Sequence, residues 1–443
     1  MARIRTRKGK KLRWRNLILL GLLLVTFAGL IVVVNIGNTE TELILPEFYA
    51  EQERLRSDTT QNAYFKVFEA DLLIPIEPIP LLVPDPDSPQ SKFDYQPDLD
   101  SIAALLGIKR PDDDPETLKY LDDTREVVTL AESASKMPRF INSHGAWTPT
   151  VNIWTYDSVL YPHKVLRVQL AHAVTKINHK ENREDGLEAL EAVYRLNSIF
   201  TNSVSGSGMW GNWGNYYNQV QSMYRRHDDP ELRAALRDLL RNQSIPIPNI
   251  QRVLDTVLGS IDETLTYPGV LAEQGNDIRF DARIGVFILQ HIANAIRERL
   301  PTLRTIADAH PSDYPDLIDA LDWRDMTYWD QRNAYIAQDM ISELLRAHQA
   351  NAQYTATELS FTIEDYRSEH GAYPESLDAL VPEYYDAIPL SPLSHQPFRY
   401  ARVDDDKGYA IEGERVPLYE IDGEMAYQNI GGYVNYWRRI YRD

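Results

Sequence analysis

A run of residues without a single charge is the feature that most constrains this chain. It extends from Leu17 to Ile36 and reads LILLGLLLVTFAGLIVVVNI. As an α-helix, which rises 1.5 Å per residue, it would be about 30 Å long, and that length matches the hydrocarbon thickness of a bilayer. The run therefore predicts a transmembrane helix over residues 17–36, so that the bilayer itself is the first expected partner.

The charges on the two sides of this run are unequal. Eight basic residues lie between Arg3 and Arg15, whereas Glu40 and Glu42 follow the run. Basic flanks stay on the cytoplasmic side of a membrane, so residues 1–16 are expected to be a cytoplasmic basic segment. The sequence thus predicts a single-pass protein of a bacterial inner membrane, with its N-terminus in the cytoplasm and its bulk periplasmic or otherwise extracytoplasmic.

A cleaved secretion signal is the main alternative to an anchor. Such signals have an apolar stretch of about 7–15 residues and a cleavage site with small residues. The run here is longer, and the residues from Val34 to Asn38 show no such site. A lipid-modified anchor would need a cysteine, which the chain lacks. We therefore expect an uncleaved signal-anchor.

The composition excludes several kinds of chemistry. Because there is no cysteine among 443 residues, the chain cannot form disulfides, a thiolate nucleophile or a cysteine-ligated metal site. Without the eight N-terminal cations, 38 basic residues remain against 65 acidic ones, a net charge of −27. Such a surface repels nucleic-acid phosphates, so nucleic acid is not an expected partner.

Hydrophobic spacing divides the rest of the chain into three parts. Residues 37–110 are a membrane-proximal segment with a proline-rich crossing, since proline fixes φ and lacks the amide donor. Residues 111–330 show apolar side chains every three or four positions, which predicts an irregular α-helical hairpin domain. Residues 331–443 begin with a long helix and continue as a small α+β module. The expected fold class is mainly α.

Two helix ends are predicted by local residues. Asp229, Pro230 and Glu231 combine an N-cap, a proline at the first helical position and an acidic first turn. At a helix C-terminus, Gly371 can take the left-handed conformation, and Pro374 prevents the helix from continuing.

The stretch from Ser203 to Tyr217, SVSGSGMWGNWGNYY, is the most unusual candidate for function. Glycines alternate with aromatic residues, and aromatic rings on a loop can stack on a sugar. Trp210, Trp213, Tyr216 and Tyr217 are therefore candidate ligand-binding residues. The alternative interpretation is a glycine-rich turn into a helix whose aromatic side chains lie in the core. No catalytic residue, metal-ligand set or cofactor fingerprint is identified, so no cofactor and no metal are expected.

The last part of the chain contains, in a characteristic order, residues that end or interrupt helices and strands. They are Asp365-Tyr366-Arg367, Gly371, Tyr373-Pro374, Ser376-Leu377, Leu380-Val381-Pro382, Ile388-Pro389, Pro392 and Pro397-Phe398-Arg399-Tyr400. In this order they resemble the globular head of type II secretion pseudopilins, from Ala356 to about Asp443. The resemblance implies a long helix, a short helix and a small sheet.

The chain departs from the pseudopilin pattern in several places. Ser391 stands where the family has an aspartate, and the stretch from Leu393 to Gln396 lacks the glycine of the following turn. Pseudopilin heads often bind calcium in a late acidic loop; here Asp404–Asp406 and Asp422-Gly423-Glu424 supply acids in a different spacing, so the resemblance leaves calcium binding open. A pseudopilin also has its membrane helix directly before the head. The whole chain instead resembles single-span bacterial envelope proteins with a helical region before a pseudopilin-like tail, a resemblance that brings no activity with it.

These observations favour an interaction or scaffold protein over an enzyme. The helical hairpins would provide a surface for a protein partner in the envelope, and the α+β module would link that complex to a secretion or pilus-like assembly. The alternative is an envelope glycan-processing enzyme on an α/α helical scaffold. That enzyme would require two carboxylates in an aromatic cleft, with the Trp210–Tyr217 stretch as its sugar-binding site.

Overall fold

The structure is mainly helical, with small antiparallel sheets near its C-terminus. This computed structural model describes residues 19, 21–23, 26, 42–74, 115–141, 157–178, 182–201, 211–243, 245–247, 249–273, 280–319, 321, 328–403, 408–413, 419–421, 424–426 and 437–441. The prediction of a mainly α fold is confirmed for this part of the chain.

Twelve α-helices are described, and two short 3₁₀ helices lie among them, Pro311–Asp313 and Leu377–Leu380. The helices are α1 (Pro46–Arg56), α2 (Tyr64–Leu72), α3 (Pro115–Asp123), α4 (Arg125–Ala134), α5 (Asp157–Asn178), α6 (Arg183–Thr201), α7 (Gly211–Arg226), α8 (Pro230–Asn242), α9 (Ile250–Glu273), α10 (Phe280–Asp308), α11 (Tyr314–Asp319) and α12 (Tyr328–His370).

The predicted membrane segment, residues 17–36, lies mostly outside the described residues. Its described positions, Leu19, residues 21–23 and Thr26, are helical. Among the residues described, none of the helices has both the length and the apolar character needed to cross a bilayer.

One large core joins the helices from α2 to α12, and α1 packs against α9 beside it; hereafter these helices together are called the helical body. Helices α5 and α6 form its closest hairpin, in which Gly186 packs against Ala173 and Ile177. Ile44, Tyr64 and Val67 belong to the same core. The described helices of the membrane-proximal segment are therefore part of the helical body, whereas its proline-rich crossing lies outside the described residues.

Both predicted helix ends are present. The Asp229 side chain accepts hydrogen bonds from the backbone N–H groups of Glu231 and Leu232, at 3.0 and 3.4 Å. At the end of α12, Gly371 has φ of +78°, and its N–H donates to the Arg367 carbonyl at 2.9 Å. Each end thus satisfies backbone groups that the helix itself leaves without partners.

The sheets form the α+β module with the last turns of α12. Strands β1 (Arg399–Val403), β2 (Gly408–Glu412) and β5 (Trp437–Tyr441) make an antiparallel sheet in the order β1-β2-β5, and β3 (Tyr419–Ile421) pairs with β4 (Glu424–Ala426). The predicted strands around Pro397–Tyr400 and Gly408–Ile411 are therefore present. The predicted short helix is the 3₁₀ helix Leu377–Leu380.

Helix α12 serves two cores with two different faces. Leu359 and Ile363 belong to the core of the module, together with Tyr373, Tyr409 and others. Phe361 belongs instead to the core of the helical body, where its ring stacks on Tyr224 with centroids 3.8 Å apart. The module and the helical body are thus built on one continuous helix.

The loop Leu390–Pro397, hereafter the module loop, contains both positions at which the sequence departs from the pseudopilin pattern. Ser391 is buried, and its hydroxyl accepts a hydrogen bond from the Leu393 N–H at 3.2 Å, as an aspartate would. His395 has φ of +52°, so it occupies the left-handed conformation that a glycine adopts easily. Leu393 inserts into the core of the helical body.

The α5–α6 contact predicts a specific sensitivity at Gly186. A Cβ there would lie 2.8 Å from the Ile177 backbone nitrogen and 3.1 Å from the Ala173 carbonyl oxygen. We expect Gly186→Ala to lower the free energy of unfolding by about 1–3 kcal/mol, because backbone cannot move away cheaply.

Denaturant unfolding measures this effect, and Gly214→Ala is the matched control. There a Cβ would meet the flexible Gln353 side chain at 3.3 Å, so the change is expected to be neutral or slightly stabilising. Equal losses in the two variants would contradict the packing argument.

Candidate functional site

The aromatic residues proposed for ligand binding lie in the core wherever they are described. Trp213, Tyr216 and Tyr217 on α7 are each at most 1% exposed; Trp210 lies outside the described residues. The Trp213 ring stacks on Tyr217 with centroids 5.9 Å apart and meets the Tyr194 ring of α6 edge-on at 5.3 Å. These rings offer no face to a sugar in solvent, and their placement fits the core interpretation of the stretch.

Burial also removes acid–base chemistry from these tyrosines. It raises the pKa of Tyr216, whose hydroxyl accepts a hydrogen bond from Gln243 Nε2 at 2.6 Å. Burial likewise raises the pKa of Tyr217. Both phenols therefore stay protonated near neutral pH, and their contribution is to hold α6, α7 and α12 together.

A polar contact between α7, α8 and α12 fixes the module to the helical body. The Tyr224 hydroxyl donates to Asp365 Oδ1 at 2.6 Å, and Arg237 forms an ion pair with the same carboxylate. Arg233 Nη1 donates to the Ser368 hydroxyl at 2.9 Å. Since these partners follow Phe361 along one face of α12, they extend the aromatic stack with charge-assisted hydrogen bonds.

Two carboxylates of α12, the buried Glu364 and the half-buried Glu358, have separate structural roles. Burial raises the pKa of Glu364, which accepts a hydrogen bond from the Tyr373 hydroxyl at 3.4 Å. Burial also raises the pKa of Glu358, which accepts one from the Tyr354 hydroxyl at 3.3 Å. Each carboxylate is engaged by its own tyrosine, so the pair does not form the shared aromatic cleft that the glycosidase alternative requires.

The residues directly after the predicted membrane segment are held by α9 and α10. Asp262 accepts hydrogen bonds from the backbone N–H groups of Ile44 and Leu45, at 2.6 and 2.7 Å. Arg297 donates to the Glu42 carbonyl at 2.9 Å and forms an ion pair with the Glu42 carboxylate at the same distance. We call this arrangement the membrane-proximal clamp.

The neighbouring carboxylate strengthens the same contact. Glu263, which is buried, forms an ion pair with Arg56 at 2.7 Å. Helix α9 therefore binds the last residue of α1 through Glu263, and it binds the residues just before α1 through Asp262. Burial raises the pKa of Glu263, and the positive charge of Arg56 opposes that rise. Asp262 and Glu263 therefore fix α1 along α9.

Three histidines meet where the module loop touches the helical body. The rings of His310, after α10, and His395, in the module loop, stack with centroids 3.5 Å apart. His348 of α12 lies 6.5 Å from the His310 ring centroid. Within the described ranges, no set of three or more histidine and carboxylate side chains has an arrangement that could hold a metal ion. The rings of this histidine cluster contact one another by aromatic packing.

Sequence reasoning missed both the membrane-proximal clamp and the histidine cluster. One signal for the clamp is present: Asp262 and Glu263 interrupt the apolar run of α9, and acids in such a run need partners when buried. The cluster has no comparable signal, because its members are far apart in the chain.

A further histidine, His172 of α5, has a structural role. It lies 2.9 Å from the Thr124 hydroxyl inside the helical body.

The membrane-proximal clamp predicts a large effect from a small change at Asp262. In Asp262→Asn one backbone N–H would face an amide N–H₂ group, so we expect a loss of about 1–3 kcal/mol in stability. Hydrogen exchange at Ile44 and Leu45 should accelerate more than exchange elsewhere. Asp238→Asn is the control, because Asp238 is exposed on α8, and it should change stability by less than about 0.5 kcal/mol. Unchanged exchange at Ile44 would argue against the clamp.

Comparison with known proteins adds no relative to this description. No protein-family model, curated protein or solved structure matches the chain. The resemblance to pseudopilin heads therefore rests on the order of residues between Asp365 and Tyr400, and it stays a prediction from the sequence.

Proposed function

We propose that this protein is a membrane-anchored scaffold of a bacterial envelope, which presents its α+β module to a protein partner close to the membrane surface. The observation that carries the proposal is the sharing of α12 by two cores, because it prevents the module from moving independently of the helical body. A surface held rigidly in this way suits assembly better than a flexible tether would.

The anchor is supported by the described positions of the apolar run. Leu19, Leu22 and Leu23 are helical and at least 60% exposed. The Thr26 hydroxyl donates to the Leu22 carbonyl at 2.8 Å, which satisfies it within the helix. Exposed leucines on a helix with satisfied polar groups are favourable in lipid and unfavourable in water.

The membrane-proximal clamp would hold the helical body near the bilayer. Glu42, the first clamped residue, lies six positions after Ile36, the end of the predicted span. Fully extended, six residues reach about 20 Å, so the clamped surface of α9 and α10 would lie no farther than that from the end of the span. The scaffold would therefore act in the layer of the envelope next to the membrane.

The partner class follows from the module. Its residue order resembles the globular heads of type II secretion pseudopilins, which are components of a secretion machine. We therefore propose a protein partner in a secretion or pilus-like assembly, bound through the exposed side of the module rather than through the α12 face that is already buried.

The proposed topology is directly testable because the chain has no cysteine. Asp386→Cys places a thiol on an exposed position of the module, and Ala2→Cys places one before the predicted span. A membrane-impermeant maleimide should label the Asp386→Cys variant in intact spheroplasts and the Ala2→Cys variant after lysis. Labelling of both variants, or of neither, before lysis would contradict the proposed topology.

The partner is testable by photo-crosslinking in living cells. A photoreactive amino acid at Glu375 or Asp386 should give a discrete adduct of higher mass. The control position is Lys119 on α3, whose side chain is 79% exposed and should give none. An adduct at all three positions, or at Lys119 alone, would show that the module is not the partner-binding surface.

A further inference from the structure

The module loop touches the helical body through an unusual set of side chains. Leu393 is buried in the core of the helical body, while the neighbouring Leu390 is 48% exposed. Around Leu393 the contact is made by the histidine cluster: His310 and His348 from the body and His395 from the loop. Because the loop contributes one buried apolar side chain to this contact, its attachment depends strongly on the protonation state of the neighbouring histidines.

The His310 ring has a defined hydrogen-bonding state in this contact. Its Nδ1 accepts from the Ser312 backbone N–H at 3.2 Å and lies 2.8 Å from the Ser312 hydroxyl. A backbone N–H can only donate, so Nδ1 is the unprotonated nitrogen of the ring. Protonation would turn this acceptor into a donor, so the hydrogen bond from the Ser312 backbone N–H would be lost and Nδ1 would donate to the Ser312 hydroxyl instead.

His395 is held in place at a conformational cost. A φ of +52° is unfavourable by about 1–2 kcal/mol for a residue other than glycine. The stacking of its ring on His310, with an interplanar angle of 23°, offsets that cost. Two neutral imidazoles can stack in this way, whereas two imidazolium ions at the same separation would repel each other.

The groups that face these rings are mostly unable to compensate added charge. Burial lowers the pKa of His310, and the neighbouring His395 lowers it further, while Asp313 and the Pro392 carbonyl oppose the shift. Burial lowers the pKa of His348 to about 4, reinforced by His310 and His395 and opposed by the same carbonyl.

Tyr314 of α11 also faces the cluster, with its ring centroid 6.1 Å from that of His348. Burial raises the pKa of Tyr314, so this phenol stays neutral in acid. Asp313 is thus the carboxylate that favours the protonated form of His310. None of the groups named above is a carboxylate that does the same for His348.

We propose that the module loop is an acid-sensitive contact, seated on the helical body while the histidine cluster is neutral and released as its imidazoles take up protons. The proposal concerns how the module is held, and it does not depend on the membrane anchor. A protein outside the cytoplasm would meet the acidity of its surroundings directly, so such a contact would let external acid change the surface that the module presents.

The direction and size of the effect follow from proton linkage. A released histidine has a pKa of about 6.5, and His348 in the seated loop has one of about 4. The released state therefore binds more protons between these values, so seating is complete above about pH 6.5 and weakens as the pH falls. If release exposes His348 completely, this residue alone favours release by about 30-fold at pH 5 relative to pH 7.5, which is the upper bound of its effect.

Cysteine labelling of the full-length protein in detergent micelles tests this proposal. Ser394→Cys reports on a buried loop position while leaving the Leu393 anchor in place, and Leu390→Cys reports on an exposed one. The ratio of their labelling rates with N-ethylmaleimide removes the effect of pH on the thiol itself. This ratio should rise by about 10- to 30-fold between pH 7.5 and pH 5.

The control variants replace the titrating groups by neutral glutamine. His348→Gln should remove most of the rise, and the triple change at His310, His348 and His395 should leave the ratio independent of pH. If the triple variant does not fold, the single change His348→Gln provides the test, since burial lowers the pKa of His348 to about 4 in the seated loop.

Three results would overturn the proposal. The first is a ratio that does not change with pH, and the second is an equal rise in the glutamine variants. The third is parallel labelling of Leu254→Cys, a position fully buried in α9, because it would mean that acid unfolds the helical body as a whole. Each of these is distinguishable from a failure of the scaffold proposal, which the topology and crosslinking measurements report.

Discussion

The stack of Phe361 on Tyr224 is the contact on which the arrangement of the two cores depends. It places one face of α12 in the helical body, so that Leu359 and Ile363, on another face, are left to form the core of the module. Hydrogen bonds from Tyr224, Arg237 and Arg233 continue the contact along the same face. Since one rigid helix carries both sets of side chains, the register of one core determines the position of the other.

The elements that the sequence predicted well are those determined by near neighbours. The helix start at Asp229 and the left-handed Gly371 both depend on residues within four positions, and both are present. The strands of the module follow from short apolar segments between turns. In each case the physical cause, a backbone group that needs a partner or a residue that tolerates positive φ, is visible in the sequence itself.

The candidate site could not be predicted because its contacts are distant in the chain. Trp213 and Tyr217 have the composition of a binding loop, yet the burial that removes their ring faces depends on where α6 and α12 pack. Asp262 reaches Ile44 across 218 residues, and His395 reaches His310 across 85 residues. Periodicity shows which faces are apolar, but it does not show which distant segment covers them.

The reach of Asp262 also imposes an order of events on biosynthesis. Ile44 leaves the ribosome 218 residues before Asp262 does. At about 5–20 residues per second, its amide must wait some 10–40 s for the carboxylate that holds it. The stretch beside the predicted span thus stays without its final partner while most of the helical body is still being made. During this interval the residues around Ile44 can meet other partners, and α9 fixes their final position only after it has been made.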